Sequence, residues 1–268
     1  MKLLLSLMLF IVSWSSGHAQ SLTTQDTPRY NLTDDGSAYM VGFLAPHPNG
    51  QAVVVFPGGG YAQTTLDKYY VWATFFNRIG VSLFAVKYRM PNGDHTIPMT
   101  DAAKALQTVN DSAVAWHISP NGIGIMGTSA GGHLASTMAT QAPLTIRPHF
   151  QILLSPVITM GRVGAHNGSV ERFLGNEVTS DKARNQYSSE LNVDSLTPPA
   201  IIFVSADDRT VPPTQNALAY YKAMIDARRP VSLHVYPDGG HNGTSIFTFR
   251  YHAAIESELS AWLEAMRQ

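Results

Sequence analysis

The most constraining stretch of this sequence is Ile123-Gly124-Ile125-Met126-Gly127-Thr128-Ser129-Ala130-Gly131-Gly132-His133, which leads straight into Leu134-Ala135-Ser136-Thr137-Met138-Ala139. An apolar run gives way to small residues and then to helix formers with no polar spacer, so the chain must pass from strand to helix through one tight turn. Gly127-Thr128-Ser129-Ala130-Gly131 matches the G-x-S-x-G pattern, in which a serine sits on such a turn with its hydroxyl exposed above a sheet. Glycine flanks are required because the turn leaves no room for side chains there. Ser129 is therefore the candidate nucleophile, and the helix that follows adds partial positive charge beside it. The pentapeptide alone is a weak signal, since a strand-to-helix turn can contain a serine for no chemical reason, so its context has to carry the case.

That context is a sheet. Residues 52–56 form a continuous apolar run of the kind buried on both faces, and it stops at Pro57-Gly58-Gly59-Gly60-Tyr61. Further strands are predicted at residues 39–44, 81–88, 150–155, 200–205 and 231–236, while residues 20–37 are polar, turn-rich and peripheral. Helical spacing marks residues 69–79, 214–227 and 249–266. Another helix, capped by Thr100 or Asp101 and running to about residue 116, has Ala102, Ala105, Leu106, Val109 and Ala113 as its inner stripe. Residues 156–199 read as a long irregular segment. Alternating strands and helices with β-branched strands imply an α/β fold, a mostly parallel sheet covered by helices on both faces. With 268 residues and 44% hydrophobic content, residues 20–268 suffice for one domain with one large core.

At the N-terminus, Lys2, an apolar run over residues 3–14 and Gly17-His18-Ala19 predict a signal peptide at residues 1–19, cleaved after Ala19. The run is short of the roughly 20 residues that cross a bilayer. The sequence has no cysteine, which excludes disulfides, a thiol nucleophile and a cysteine-linked lipid, and suits a secreted or periplasmic bacterial protein. A net charge of −1 without a Lys/Arg cluster speaks against nucleic acid or an anionic membrane as partner, and the expected substrate is neutral. No H-E-x-x-H or His-rich spacing is present, so no metal or other cofactor is expected.

Ser129, Asp207 or Asp208, and His241 all fall just after predicted strands, on the edge of a parallel sheet where sites form. A neutral imidazole to take the hydroxyl proton and a carboxylate to fix its tautomer are what a serine nucleophile needs. Of ten histidines, only His241 lies in a glycine-rich loop after the last predicted strand.

Four segments in order, Phe56-Pro57-Gly58-Gly59-Gly60-Tyr61, Gly127 to Ala135, Asp207-Asp208-Arg209-Thr210-Val211-Pro212-Pro213 and Gly239-Gly240-His241, resemble the α/β-hydrolase superfamily. Within it they resemble the exported bacterial carbohydrate esterases related to acetyl xylan esterases. The resemblance implies a catalytic Ser129, an oxyanion hole of backbone N–H groups from Gly59, Gly60 and Ala130, and an ester of an acetylated carbohydrate as substrate. Pro57 stands where the familiar H-G-G-G pattern has His, and Asn242 follows His241 where Gly is more usual. Prolyl-oligopeptidase-like hydrolases, which the Asp-Asp-Arg segment also resembles, take the carboxylate two residues before the Arg, selecting Asp207. Counting back from Val211-Pro212 selects Asp208. Asp207 is the favoured expectation. Tyr61, next to the oxyanion glycines, is expected to bind substrate beside a small acyl pocket. Residues 156–199 are expected to cap Ser129, with Gly161, Gly164, Asn167, Gly168 and Ser169 toward sugar hydroxyls and Phe173, Leu174 and Tyr187 as apolar support. A feruloyl esterase or general carboxylesterase would share this machinery, and a serine peptidase or an inactive binding module fits less well.

Overall fold

Residues 27–267 are described by a computed structural model; the expected signal peptide lies outside them. The strands are β1 (Arg29–Asn31), β2 (Tyr39–Phe43), β3 (Ala52–Phe56), β4 (Ser82–Lys87), β5 (Ile123–Thr128), β6 (Phe150–Leu154), β7 (Ala200–Ser205) and β8 (Val231–Tyr236). They form one sheet in the order β1-β2-β4-β3-β5-β6-β7-β8. β1, β2 and β4 are joined by antiparallel pairings, and every pairing from β4 through β3 to β8 is parallel. β1 was not expected from the sequence, because its three residues are polar or half-exposed and are held by pairing with β2 rather than by burial.

Alternation along β3 shows why its strand is apolar throughout. Ala52, Val54 and Phe56 face a core that also takes Ala102, Ala105, Leu106 and Val109 of α2 (Thr96–Ser112), Leu134 and Met138 of α3 (Ala130–Gln141), and Tyr220 and Met224 of α6 (Ala217–Asp226). Val53 and Val55 face the opposite core, with Trp72 and Phe76 of α1 (Tyr69–Arg78) and Ile255, Leu259 and Leu263 of α7 (His252–Ala265). Both faces are therefore covered, as the alternation of elements requires. No helix among the described residues is long and apolar enough to cross a membrane.

Two helix starts differ from the sequence reading, each where a polar side chain is used through space, and one segment differs in content. α2 begins at Thr96, not at Thr100 or Asp101. Asp101 is buried on the helix, accepting from the Arg89 backbone N–H at 2.8 Å and pairing with its guanidinium at 2.6 Å. α6 begins only after Asn216, whose buried side chain accepts from the N–H groups of Ile158 and Thr159 and donates to the carbonyls of Gly164 and Pro212. Residues 156–199 are not irregular: they contain α4 (Asn167–Leu174), α5 (Asp181–Gln186) and two short 3-10 turns. Phe173, Leu174 and Tyr187 from this segment are buried in the core beside α3, so they do not form a roof over Ser129.

Candidate active site

The parallel strands end on one edge, and the loops that leave them there build the site. Ser129 stands between β5 and α3 with φ 54° and ψ −123°, a backbone conformation that side chains rarely adopt. Its N–H donates to the Leu154 carbonyl at 3.2 Å, and its own carbonyl accepts from the Val157 N–H at 3.0 Å, so the end of β6 and the chain just after it hold the turn in place. A Cβ at Gly127 would overlap the Gly131 carbonyl oxygen, and one at Gly131 would overlap that of Phe56. These contacts are the physical content of the glycine flanks.

Ser129 Oγ lies 2.7 Å from His241 Nε2, and His241 Nδ1 lies 2.8 Å from Asp208 Oδ2. A carboxylate only accepts, so Nδ1 carries the proton and Nε2 presents its lone pair to the serine hydroxyl. The other oxygen of Asp208 accepts from the backbone N–H groups of Thr210 at 3.0 Å and Val211 at 2.9 Å. That carboxylate is 4% exposed and Ser129 9%. Beside the serine, Gly59 (φ 131°) and Gly60 (φ 61°) line a cleft of about 430 Å³. The loop carrying them is tied down by the Tyr88 hydroxyl, which donates to the Pro57 carbonyl at 2.7 Å. A Cβ at Gly59 would overlap the Gln63 carbonyl, whereas one at Gly60 would reach only ordinary contact with the His166 ring and the Arg172 guanidinium. Ala130 is the first residue of α3, so its N–H is one of those a helix leaves without an internal acceptor.

Comparison with known proteins places the fold in a family. Residues 53–244 match the family model described as the alpha/beta hydrolase fold. The chain belongs to the α/β-hydrolase fold family. Over 253 residues it is 42% identical to an acetylxylan esterase of Xylanibacter ruminicola, covering 92% of this chain and 53% of that protein. It is 30% identical over 207 residues to endo-1,4-beta-xylanase B of Butyrivibrio fibrisolvens, covering 72% of this chain and 32% of that one. The chain thus spans about half the length of the first relative and a third of the second. Among solved structures, the acetyl ester-xyloside bifunctional hydrolase of Caldicellulosiruptor lactoaceticus superposes with a TM-score of 0.79 at 28% identity, covering 89% of this chain and 96% of that one.

In this α/β-hydrolase the favoured aspartate is corrected. Asp207 is exposed and accepts from the Gly240 N–H at 2.8 Å, while Asp208 is the carboxylate on His241. The reason is local: the Asp208 N–H donates to the Ser205 carbonyl at 3.2 Å, closing a turn that points Asp208 inward and Asp207 outward. The expectation for Tyr61 is also corrected. It is 1% exposed and absent from the cleft wall, and its hydroxyl bonds His133 Nδ1 at 2.8 Å. His133 Nε2 lies 2.7 Å from the Tyr187 carbonyl, which only accepts, so Nε2 carries the proton and Nδ1 accepts from Tyr61. Burial pushes the His133 imidazole down to about 4, against the opposing hydrogen bond to Tyr187.

Asn242 has φ −98°, open to any residue, because Gly239 (φ 130°) and Gly240 (φ 56°) make the sharp part of the His loop. Of the five small and polar residues expected to meet sugar, none lines the cleft: Ser169, for example, is buried and bonded to His166. The same segment instead contributes His166 and Arg172, and α1's N-cap residue Lys68 joins them. His166 Nδ1 accepts from the Ser169 N–H at 3.2 Å, leaving Nε2 as the donor. Burial lowers its pKa, with further lowering from His241 and Arg172 and an opposing pull from Asp208. None of these three stands in a motif, so only their convergence in space singles them out.

Proposed function

We propose that this chain is a serine carboxylic ester hydrolase that removes acetyl groups from xylan-type polysaccharides or their oligosaccharides. The observation that carries the reading is the continuous relay from Ser129 Oγ through His241 to Asp208, at 2.7 and 2.8 Å. Such a relay lets His241 Nε2 take the hydroxyl proton as Oγ attacks the acetyl carbonyl, and lets Asp208 stabilise the imidazolium that results. The oxyanion of the tetrahedral intermediate is taken by backbone N–H groups of the Gly59-Gly60 loop and Ala130. Collapse breaks the ester C–O bond, His241 returns the proton to the departing sugar hydroxyl, and the acetyl group stays on Ser129. Water, deprotonated by the same imidazole, then attacks the acyl-enzyme and releases acetate.

The substrate class rests on the acetylxylan esterase relative and on the cleft, whose described lining contains no Phe, Tyr or Trp. A feruloyl group would need an apolar wall for its ring, which favours the small acyl group. The N-terminal pattern ending at Ala19 supports export, placing the enzyme where plant polysaccharide is met.

The test is acetate release from acetylated xylan beside methyl ferulate, together with labelling by a fluorophosphonate. Ser129→Ala is expected to remove the label and lower kcat by about 10⁴ or more while the protein stays folded. Unchanged turnover in that variant would sink the mechanism, and preference for methyl ferulate would move the acyl assignment.

A further inference from the structure

Although the whole chain is balanced in charge, the cleft beside Ser129 is not. Its charged side chains are Lys68 and Arg172, and its described lining holds no Asp or Glu. The nearby carboxylate, Asp208, lies behind His241 and already accepts from His241, Thr210 and Val211. Neither cation is neutralised: among the described residues, Lys68 and Arg172 enter no ion pair.

Their bonding shows what each has left to offer. Arg172 spends its Nη1 amino group on two backbone carbonyls, Gly168 at 3.0 Å and Gly60 at 3.3 Å. These two bonds fix the guanidinium against the oxyanion loop and leave the Nε and Nη2 N–H groups without a partner among the described residues. That free edge is a planar two-donor fork, whose geometry matches a carboxylate. The Lys68 ammonium donates no hydrogen bond among the described residues and lies 5.8 Å from the Tyr69 ring centroid. Burial lowers its pKa, as it does for a cation that has given up water without gaining an anion.

We propose that the cleft is built for an acetylated sugar chain that also carries a carboxylate, a uronic acid, held by the free Nε/Nη2 edge of Arg172 with Lys68 as the second cation. The proposal rests on the ester-hydrolase reading above and replaces the neutral substrate expected from net charge with an acidic one. His166 Nε2–H adds a neutral donor on the same wall, suited to a sugar hydroxyl. A cleft of about 430 Å³ accommodates one or two sugar rings at a time, so ester and carboxylate belong to the same or adjacent residues.

The test compares kcat/KM for acetylated xylo-oligosaccharides with and without a glucuronic acid branch. The native enzyme is expected to favour the acidic substrate about tenfold or more at about 20 mM salt, and to lose most of that preference at about 0.5 M. Lys68→Met removes a charge that makes no internal bond, and Arg172→Lys keeps charge while removing the fork. Each is expected to lower the ratio of acidic to neutral kcat/KM several-fold, through KM on the acidic substrate. Melting temperatures close to the native value show that the variants are folded. Cleavage of both native substrates with equal efficiency, or a preference that survives both substitutions, would overturn the proposal and leave the esterase reading intact. Failure to cleave either acetyl ester would overturn the esterase reading itself, and this proposal with it.

Discussion

Asp207 and Asp208 are adjacent and chemically identical, and the turn after β7 gives them different work. Asp208 has both oxygens engaged, one by His241 and one by two backbone N–H groups, whereas Asp207 steadies the His loop through the Gly240 N–H. Replacing Asp208 by Asn removes the acceptor that holds Nδ1–H and admits the wrong imidazole tautomer. Asp208→Asn is therefore expected to lower kcat on 4-nitrophenyl acetate by about 10⁴ with the fold intact. Asp207→Asn keeps an oxygen for Gly240 and is expected to cost less than about tenfold. Steady-state kinetics on the two variants decides between them, and the reverse ranking would return the triad carboxylate to Asp207.

Three separate elements meet at His133. Tyr61 arrives from the loop after β3, His133 from α3 and the Tyr187 carbonyl from the chain just after α5, joined by bonds of 2.8 and 2.7 Å. This bond network works only with a neutral imidazole, since protonation at Nδ1 would replace the acceptor that Tyr61 needs. With the folded pKa near 4 and the unfolded one near 6.5, the unfolded chain binds the extra proton between those values and the folded chain does not. Stability from this residue is thus present above about 6.5 and is lost as pH falls toward 4, with a slope of up to about 1.4 kcal/mol per pH unit. Urea unfolding across that range is expected to show this acid limb, and His133→Gln, which does not titrate, is expected to flatten it. An unchanged limb in the variant would assign the acid sensitivity to other groups.

For the molecule as a whole, the two cores do different jobs. The α2-α3-α6 side carries the elbow helix and the His133 network, while the α1-α7 side is mostly packing. Trp72 of α1 is fully buried there, its ring 5.3 Å from Phe247 and 5.5 Å from His252. Trp72→Ala is expected to cost about 3–5 kcal/mol in urea unfolding, with kcat nearly unchanged well below the melting temperature. A large fall in kcat without loss of stability would mean that this core also sets the site. The sequence by itself determined the strands buried on both faces, the elbow at Ser129, the order of serine, acid and histidine, and the glycine loop after β3. Each of these is written in local pattern: β-branched runs, helical spacing, and glycines where the backbone closes on itself. Tertiary structure alone decided that Asp208 rather than Asp207 faces His241, because one hydrogen bond to Ser205 sets which way the turn points. Tyr61 went into the core rather than the cleft because His133, 72 positions away, offers its hydroxyl a buried acceptor. Lys68, His166 and Arg172 have no sequence signature because Lys68 at the start of α1 and the α4 pair His166 and Arg172 meet only in the folded cleft, where the two cations come to stand on one wall.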